Sequence, residues 1–479
     1  METNQRQPAG KFTQGYTFKI LLLFGLVLLL LIPLAMIRGL IRERNQTANS
    51  AEAEIMEAWG SRLIQAGPFI VIPGIRTEEI RSTTERDGEK IDTKKHPFAL
   101  ILTPQKLNIG VRFNTEIRKR GIFSVPLFSG ELALSGTFSP SEALATLSSS
   151  EEVFFDQSEL IIALTSQKGI RKINSSKFNN RDMSFQPGNR GLSIDRLINP
   201  NTVRYDPRLT GSGIFASLPD FSDTESVFDI NIAIQGGKLV RFLPIGKDTH
   251  TEISADWPSP SFQGTFLPGS SIITDENFEA VWDISYLSRD IPLFWKTENN
   301  SNAGSDYYPE SHYSALDYSD SMFGVNFFRA IDTYSLNTRA VKYSILFLAV
   351  PFLTLFLFEI FSKKRIHPVP YLLSGIANII FYLLLLSLSE QMPFFTAYLV
   401  AAFGVTVMMT LYSRSLIPSW NKSWYMGLVV IVSYVLLYAV LNAESYALLI
   451  GSIGAFMVIG LVMFLTRKLD WYGSGGRVD

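Results

Sequence analysis

Apolar residues are concentrated at the two ends of the chain, in runs long enough to cross a membrane. Residues 20–37 (ILLLFGLVLLLLIPLAMI) are 18 consecutive uncharged positions. An α-helix of about 20 residues spans a hydrocarbon core about 30 Å thick. Five further apolar runs follow, at 343–361, 370–387, 395–412, 424–441 and 446–466. The pattern predicts a transmembrane anchor helix over 19–40, a large polar segment, and a five-helix transmembrane bundle over 342–466.

A cleaved secretory signal is the alternative interpretation of the first run. The run is longer than the usual apolar core of a signal peptide, and no A-x-A-like cleavage site follows it in LAMIRGLIRER. We therefore expect an uncleaved anchor.

The spacing of apolar residues changes within the segment between the anchor and the bundle. Ile55, Trp59 and Leu63 recur every four positions, which predicts a short helix after the anchor. Further on, apolar residues at every second position predict half-buried strands at 107–113, 228–234 and 278–286, with connections rich in Pro, Gly, Asn and Ser. Residues 41–341 are therefore predicted to form a large, mainly antiparallel β domain.

Lys and Arg in the short loops predict which side of the membrane each loop faces, because cytoplasmic loops retain these residues. The cations of these loops are Lys363, Lys364 and Arg365, then Arg414 and Lys422, then Arg467, Lys468 and Arg477. The alternate loops, 389–394 and 442–445, contain no Lys or Arg. This distribution predicts cytoplasmic tails at 1–18 and 467–479 and an extracytoplasmic position for 41–341.

Composition excludes several classes of function. The formal net charge is −1, from 43 Lys and Arg against 44 Asp and Glu. The chain therefore has no overall positive electrostatic field that would favour nucleic acid as a partner. The chain has no cysteine, which removes disulfides, thiolate nucleophiles and cysteine metal ligands. No G-x-S-x-G, H-E-x-x-H or Walker A pattern occurs. We expect no enzyme activity and no cofactor.

Metal binding has one weak candidate. Asp306, Glu310 and His312 lie in an acidic, tyrosine-rich segment before the second span, and their side chains could ligate a cation. A solvated acidic loop is the simpler interpretation. We therefore expect no bound metal.

Several separated motifs resemble the CreD family of bacterial inner-membrane proteins. They are GPFIVIP (67–73), RGIFSVPL (120–127), WPSPSFQGTFLP (257–268), FGVNFF (323–328), FLFEI (356–360), HPVPYLLSG (367–375), FYLLLLSLSE (381–390) and RKLDWY (467–472). Their order fits the predicted topology along nearly the whole chain. The resemblance implies an inner-membrane location, a periplasmic β domain, and an association with cell-envelope integrity and stress. It implies no reaction and no catalytic residue.

Three polar residues in or beside the predicted spans are candidates for function, because polar groups are costly to bury in a membrane. Glu359 can instead pair with Lys363 near the cytoplasmic face, and Asn378 can hydrogen-bond between helices. Glu390 follows the third span and can be an ordinary interfacial acid. Each residue therefore has both a functional and a structural interpretation.

Trp257 and Phe262 are the remaining candidates, in the WPSPSF motif of the β domain. Exposed aromatic side chains supply large contact areas, so the motif could bind envelope proteins or glycans. The alternative is a buried corner that packs two sheets together.

The first functional hypothesis is a non-enzymatic factor for cell-envelope integrity, whose β domain contacts envelope proteins or cell-wall precursors while the helices contact membrane lipid. The second is a transporter or channel accessory that uses Glu359, Asn378 and Glu390. The third is an enzyme that acts on lipid-linked envelope material, which a converging pair of carboxylates in the β domain would favour. The sequence leaves the oligomeric state open.

Overall fold

The computed structural model describes residues 16–84, 88–190, 211–298, 321–327, 333–362, 366–416, 420–443 and 446–467. The chain divides into two compact units. The helical unit comprises Met1–Asn49 and Ile331–Asp479, and the β unit comprises Ser50–Ala330. The acidic segment around His312 and the cations at 363–365 lie outside the described residues.

Six long helices are present in the described part of the chain. They are α1 (Tyr16–Trp59), α2 (Thr333–Ser362), α3 (Pro368–Ser389), α4 (Phe394–Leu416), α5 (Trp420–Asn442) and α6 (Ala447–Thr466). Each contains a stretch long and apolar enough to cross a membrane. The six membrane helices predicted from the sequence are therefore confirmed.

The first helix differs from the prediction in its length. It runs without a break through 44 residues to Trp59, so the short helix predicted around Ile55 is the last part of α1. Leu63, assigned to that short helix, is already the first residue of a strand. The stretch after the apolar run is rich in Ala, Glu and Arg and has no proline, and such residues favour continuation of a helix.

The helical unit is closely packed where α3 meets α1 and α2. A Cβ atom added at Gly375 would lie 2.2 Å from Leu30 Cδ1 and 2.9 Å from Phe352 Cε2. A larger residue at this position would displace both side chains, so glycine here gives the close approach that small residues allow between membrane helices. Tyr371, at 0 % exposure, is also among the buried residues of α3.

The β unit contains eighteen strands within the described residues. They are β1 (Leu63–Thr84), β2 (Gly88–Leu102), β3 (Lys106–Arg120), β4 (Phe123–Phe138), β5 (Glu151–Val153), β6 (Glu159–Leu164), β7 (Ile170–Phe178), β8 (Arg181–Asp182), β9 (Gln186–Pro187), β10 (Gly213–Ser217), β11 (Ser226–Gly237), β12 (Leu239–Phe242), β13 (Asp248–Ala255), β14 (Pro260–Gly264), β15 (Ser270–Ile273), β16 (Phe278–Ser285), β17 (Phe294–Glu298) and β18 (Phe323–Phe327). The three predicted strands correspond to β3, β11 and β16 and are confirmed.

The described strands form two sheets. The first has ten strands, with the order β14-β18-β12-β1-β6-β10-β9; β2 and β5 also pair with β1, and β17 pairs with β2. The second has eight strands in the order β15-β16-β13-β3-β4-β11-β7-β8. Two pairs, β1 with β12 and β3 with β13, are parallel, and the others are antiparallel. The prediction of a mainly antiparallel β domain is confirmed.

One core rich in phenylalanine joins the two sheets. Phe113, Phe128 and Phe327 pack edge-on or tilted, with ring centres 4.7 to 5.8 Å apart. Strand β11 shows why the sequence forms this core, because Phe228, Ile230, Ile232 and Ile234 are buried while the residues between them are not. This alternation leaves one face of the second sheet polar.

Candidate functional site

Glu359 lies near the C-terminal end of α2, where groups from other helices hold its carboxylate. The residue is 7 % exposed. Its carboxylate forms an ion pair with Nζ of Lys19 on α1 and accepts a hydrogen bond of 2.9 Å from the hydroxyl of Tyr371 on α3. Nζ of Lys19 also donates to the carbonyl of Ile366, at 2.7 Å. Three helices and one loop therefore meet at one compensated pair of charges.

The partner of Glu359 differs from the one expected from the sequence. Lys363, the expected partner, lies outside the described residues, and the described partner is Lys19. Sequence reasoning missed both Lys19 and Tyr371 as site residues. The available signals were slight: a cation directly before the first apolar run, and a tyrosine just inside the proline-marked start of α3.

Asn378 connects three helices in the middle of α3. It is 4 % exposed, and its amide nitrogen donates to the carbonyl of Phe347 on α2 at 2.9 Å. Its amide oxygen accepts a hydrogen bond of 3.3 Å from the hydroxyl of Tyr434 on α5. The hydroxyl of Tyr398 on α4 donates to the carbonyl of Tyr434, at 2.6 Å. Asn378 thus belongs to a polar contact that links α2, α3, α4 and α5.

Glu390 follows the C-terminal end of α3. Its carboxylate accepts a hydrogen bond of 3.2 Å from the hydroxyl of Tyr334 on α2. Nε of Arg44 on α1 lies 3.9 Å from the same carboxylate. Beside it, the amide of Asn337 donates to the hydroxyl of Ser389 at 2.9 Å. Glu390 therefore joins the same three helices, α1, α2 and α3, as Glu359 does.

The three polar contacts are separated along α3. Tyr371 and Glu390 lie about 28 Å apart along the helix at 1.5 Å per residue, close to the thickness of a hydrocarbon core. Between Asn378 and Glu390 the buried residues of α3 include Phe381 and Leu385, both at 0 % exposure. The contacts therefore connect α3 to neighbouring helices near both of its ends and in its middle. Large apolar side chains lie between one contact and the next along α3.

The WPSPSF motif forms part of the core of the β unit. Trp257 is 8 % exposed, its indole N–H donates to the carbonyl of Ser259 at 3.1 Å, and its ring packs edge-on against Phe327. Phe262, on β14, is half-buried between the rings of Phe278 and Trp282 at 5.9 and 5.7 Å. The two candidate residues thus lie at a corner where both sheets contribute to the packing.

A cavity of 510 Å³ in the β unit is lined by two carboxylates, Asp156 and Glu159. This arrangement relates to the enzyme hypothesis. Glu159 is 9 % exposed and lies 3.1 Å from a guanidinium nitrogen of Arg190, whose guanidinium stacks 3.8 Å above the ring of Phe215. Glu159 is therefore held in an ion pair with Arg190.

His250 lies on the polar face of the second sheet between two carboxylates. Its Nδ1 atom is 2.6 Å from Asp283, and its Nε2 atom is 3.2 Å from Glu252. The hydrogen bond with Asp283 is the main cause that raises the pKa of His250, and the bond with Glu252 adds to it. Since both ring nitrogens face acceptors, the doubly protonated imidazolium suits this site.

The described helices include six that are apolar and long enough to cross a membrane, and paired polar groups connect several of them. The β unit has two sheets around one core. These features define a multi-pass membrane protein with a large β unit. The family described as "Inner membrane protein CreD" matches residues 15–472, and the chain belongs to this family. The inner membrane protein CreD of Escherichia coli (strain K12) is 28 % identical over 457 residues, which cover 95 % of this chain and 93 % of that protein. The family resemblance read from the sequence motifs is confirmed, and the protein is a multi-pass protein of the inner membrane.

Proposed function

We propose that the protein is a non-enzymatic inner-membrane factor that supports cell-envelope integrity. Its β unit contacts envelope components in the periplasm, and its helical unit holds that β unit at the membrane. The match to the CreD family supports this role, because it extends through both units.

The pairing of the buried polar groups is the observation that carries the proposal. An ion relay through these groups would have to break the contacts that hold them. Here Glu359 is bound by Lys19 and Tyr371, and Asn378 is bound by Phe347 and Tyr434. These contacts support a fixed frame of helices.

The contacts at the two ends of α3 also support the proposed orientation. Lys19 donates to Ile366, which follows the three cations 363–365 in the sequence. Arg44 and Glu390 meet at the other end of α3, beside the loop 389–394, which has no Lys or Arg. By the positive-inside rule, the Lys19 end is cytoplasmic and the Arg44 end is periplasmic. Both termini are then cytoplasmic, and the β unit is periplasmic.

Uptake of a membrane-impermeant dye, with and without detergent stress, tests the proposed role. The comparison uses a deletion strain and the same strain that re-expresses the protein. We expect the deletion strain to admit more dye under stress and re-expression to restore exclusion. Equal dye uptake in both strains under every stress would contradict the envelope role.

A further inference from the structure

Strand β15 is a four-residue edge of the second sheet that carries neither proline nor charge, two of the usual protections of sheet edges. Among the described strands it pairs with β16 alone. Natural proteins protect edge strands with prolines, charged residues or very short strands, because unpaired backbone groups can bind another chain. The sequence of β15 is Ser-Ser-Ile-Ile, with no proline and no charge.

The other described edge strands are all protected in one of these ways. Strand β14 begins with Pro260, and β9 contains Pro187. Strand β8 is two charged residues long, β5 contains Glu151 and Glu152, and β17 contains Lys296. The contrast indicates that, among the strands that the structure describes, the edge at β15 is open.

Apolar side chains are exposed along this edge. Ile272 is 67 % exposed and Ile273 is 51 % exposed, although both are in a regular strand. Leu267, three residues before the strand, is 70 % exposed. Other exposed large apolar residues of β strands in this unit, such as Val227, occur singly. The edge therefore offers apolar surface together with backbone hydrogen-bonding groups.

The ladder with β16 determines which backbone groups of β15 are directed outward. The N–H of Thr274 donates to the carbonyl of Asn277 at 2.8 Å, in the same register that pairs Ile272 with Glu279. In an antiparallel pair, the residues that bond to the partner strand alternate with those that do not. The alternation turns the N–H and C=O groups of Ser271 and Ile273 toward the open side.

The sequence segment that contains the edge is acidic. Residues 248–288 contain seven Asp and Glu residues and no Lys or Arg. Three of the acids, Asp275, Glu276 and Glu279, are exposed directly beside β15. Acidic residues repel an anionic lipid surface, and they also repel an equally acidic second copy of this edge. The charge therefore favours a basic partner.

We propose that β15 is an acceptor edge to which an extended, Lys- or Arg-bearing segment of another polypeptide adds as a further strand of the second sheet. In this binding mode, main-chain hydrogen bonds supply affinity and alternate side chains supply specificity. The inference rests on the proposed envelope role, since it names the class of envelope component that the β unit contacts.

A defined peptide tests the edge in the full-length protein held in zwitterionic lipid nanodiscs. The probe is a fluorescent peptide of sequence Lys-Val-Thr-Val-Lys-Val-Thr-Val, and its binding is followed by fluorescence anisotropy. Two further peptides are N-methylated on every second residue, one on the odd-numbered residues and the other on the even-numbered residues. We expect one of these two peptides to bind about tenfold or more weakly than the unmodified peptide, because only one set of N–H groups faces the edge. Absence of saturable binding by the unmodified peptide, or equal binding of the two methylated peptides, would overturn the proposal.

Two substitutions at one position provide the matched control in the protein. Ser271→Pro removes the outward N–H, whereas Ser271→Ala retains it. We expect Ser271→Pro to weaken binding about fivefold to tenfold and Ser271→Ala to change it less than about twofold. Equal affinities in two variants with unchanged unfolding midpoints would contradict the edge site.

The charge requirement and the identity of the partner have separate tests. Replacing both Lys of the peptide by Glu is expected to weaken binding about tenfold at low salt, and an unchanged affinity would remove the basic partner from the proposal.

Because the chain has no cysteine, Ile272→Cys introduces a single thiol. Disulfide-linked dimers of Ile272→Cys that disappear when Ser271→Pro is added would assign the edge to a second copy and overturn a foreign partner.

Dye uptake separates this proposal from the envelope role. If the wild-type protein binds the peptide but does not restore dye exclusion, the envelope role fails and the edge site stands. If Ser271→Pro abolishes peptide binding but still restores dye exclusion, the edge does not serve the envelope role, and the link between the two is lost.

Discussion

The ammonium of Lys19 and the carboxylate of Glu359 form an ion pair between residues 340 positions apart in the chain. The side chains are 16 % and 8 % exposed, so protein surrounds both charges. The hydroxyl of Tyr371 completes the contact and connects it to α3. Because little water reaches these groups, each charge depends on its partner for compensation.

Removing either partner of this ion pair should destabilise the helical unit more than removing both. Glu359→Gln leaves the Lys19 charge without its counter-ion, and we expect a loss of about 3 kcal/mol in the free energy of unfolding, with a similar loss for Lys19→Met. The double variant should lose less than either single variant, so it should recover more than about 3 kcal/mol of the summed loss of about 6 kcal/mol. Thermal unfolding of the detergent-solubilised protein measures all three variants. Strictly additive losses would show that the two residues are not coupled.

Replacement of the other two polar candidates, Glu390 and Asn378, should preserve function. In Glu390→Gln the amide oxygen can still accept the hydrogen bond from Tyr334. Asn378→Leu removes two hydrogen bonds and should cost about 1–3 kcal/mol, since Tyr434 and the carbonyl of Phe347 lose a partner. We expect both variants to restore dye exclusion once protein levels are matched by immunoblot. Loss of exclusion at equal protein level would instead support the transporter or channel hypothesis.

Truncation of Trp257 should affect folding of the β unit. Trp257→Ala removes a ring that packs on Phe327, and we expect a loss of about 3–5 kcal/mol. Leu267→Ala, at a nearby position that is 70 % exposed, is the control and should change stability by less than about 0.5 kcal/mol. The unfolding midpoint, followed by the circular dichroism of the sheet, compares the two. A Trp257→Ala protein as stable as the control would show that the corner is dispensable for packing.

Stability of the second sheet should fall as the pH rises through the titration of His250. The pKa of His250 is raised in the folded state by the hydrogen bond with Asp283, so the stabilisation is complete below the unfolded value of about 6.5. It is lost as the pH rises through the higher folded-state pKa. Because the site is partly exposed, the effect should stay below about 1 kcal/mol. Unfolding midpoints between pH 5 and 9 should show this decrease in the wild-type protein and not in His250→Gln, and parallel profiles would contradict it.

The sequence predicts the elements of this fold better than the contacts between them. The six helices follow from the length of each apolar run, because a bilayer imposes that length, and β11 follows from the strict alternation of Phe228, Ile230, Ile232 and Ile234. Strand β6 could not be recognised in this way, because its residues are buried on both faces and the alternation is lost. The Lys19 partner of Glu359 was also beyond prediction, since no local pattern relates two residues 340 positions apart.

The long separation between Lys19 and Glu359 also determines when the helical unit can close during synthesis. At about 5–20 residues per second, roughly 20–70 s pass between the emergence of the two residues, and the whole β unit is translated in that interval. The ion pair cannot form before Glu359 has been synthesised, so closure of the bundle at this contact is a late step of biogenesis. A nascent chain arrested before α2 should therefore be cleared faster than the same arrested chain with Lys19→Met, as a pulse–chase would measure. Equal lifetimes would show that the charge of Lys19 without Glu359 is harmless, whereas unequal ones would make this ion pair a mark of completed assembly.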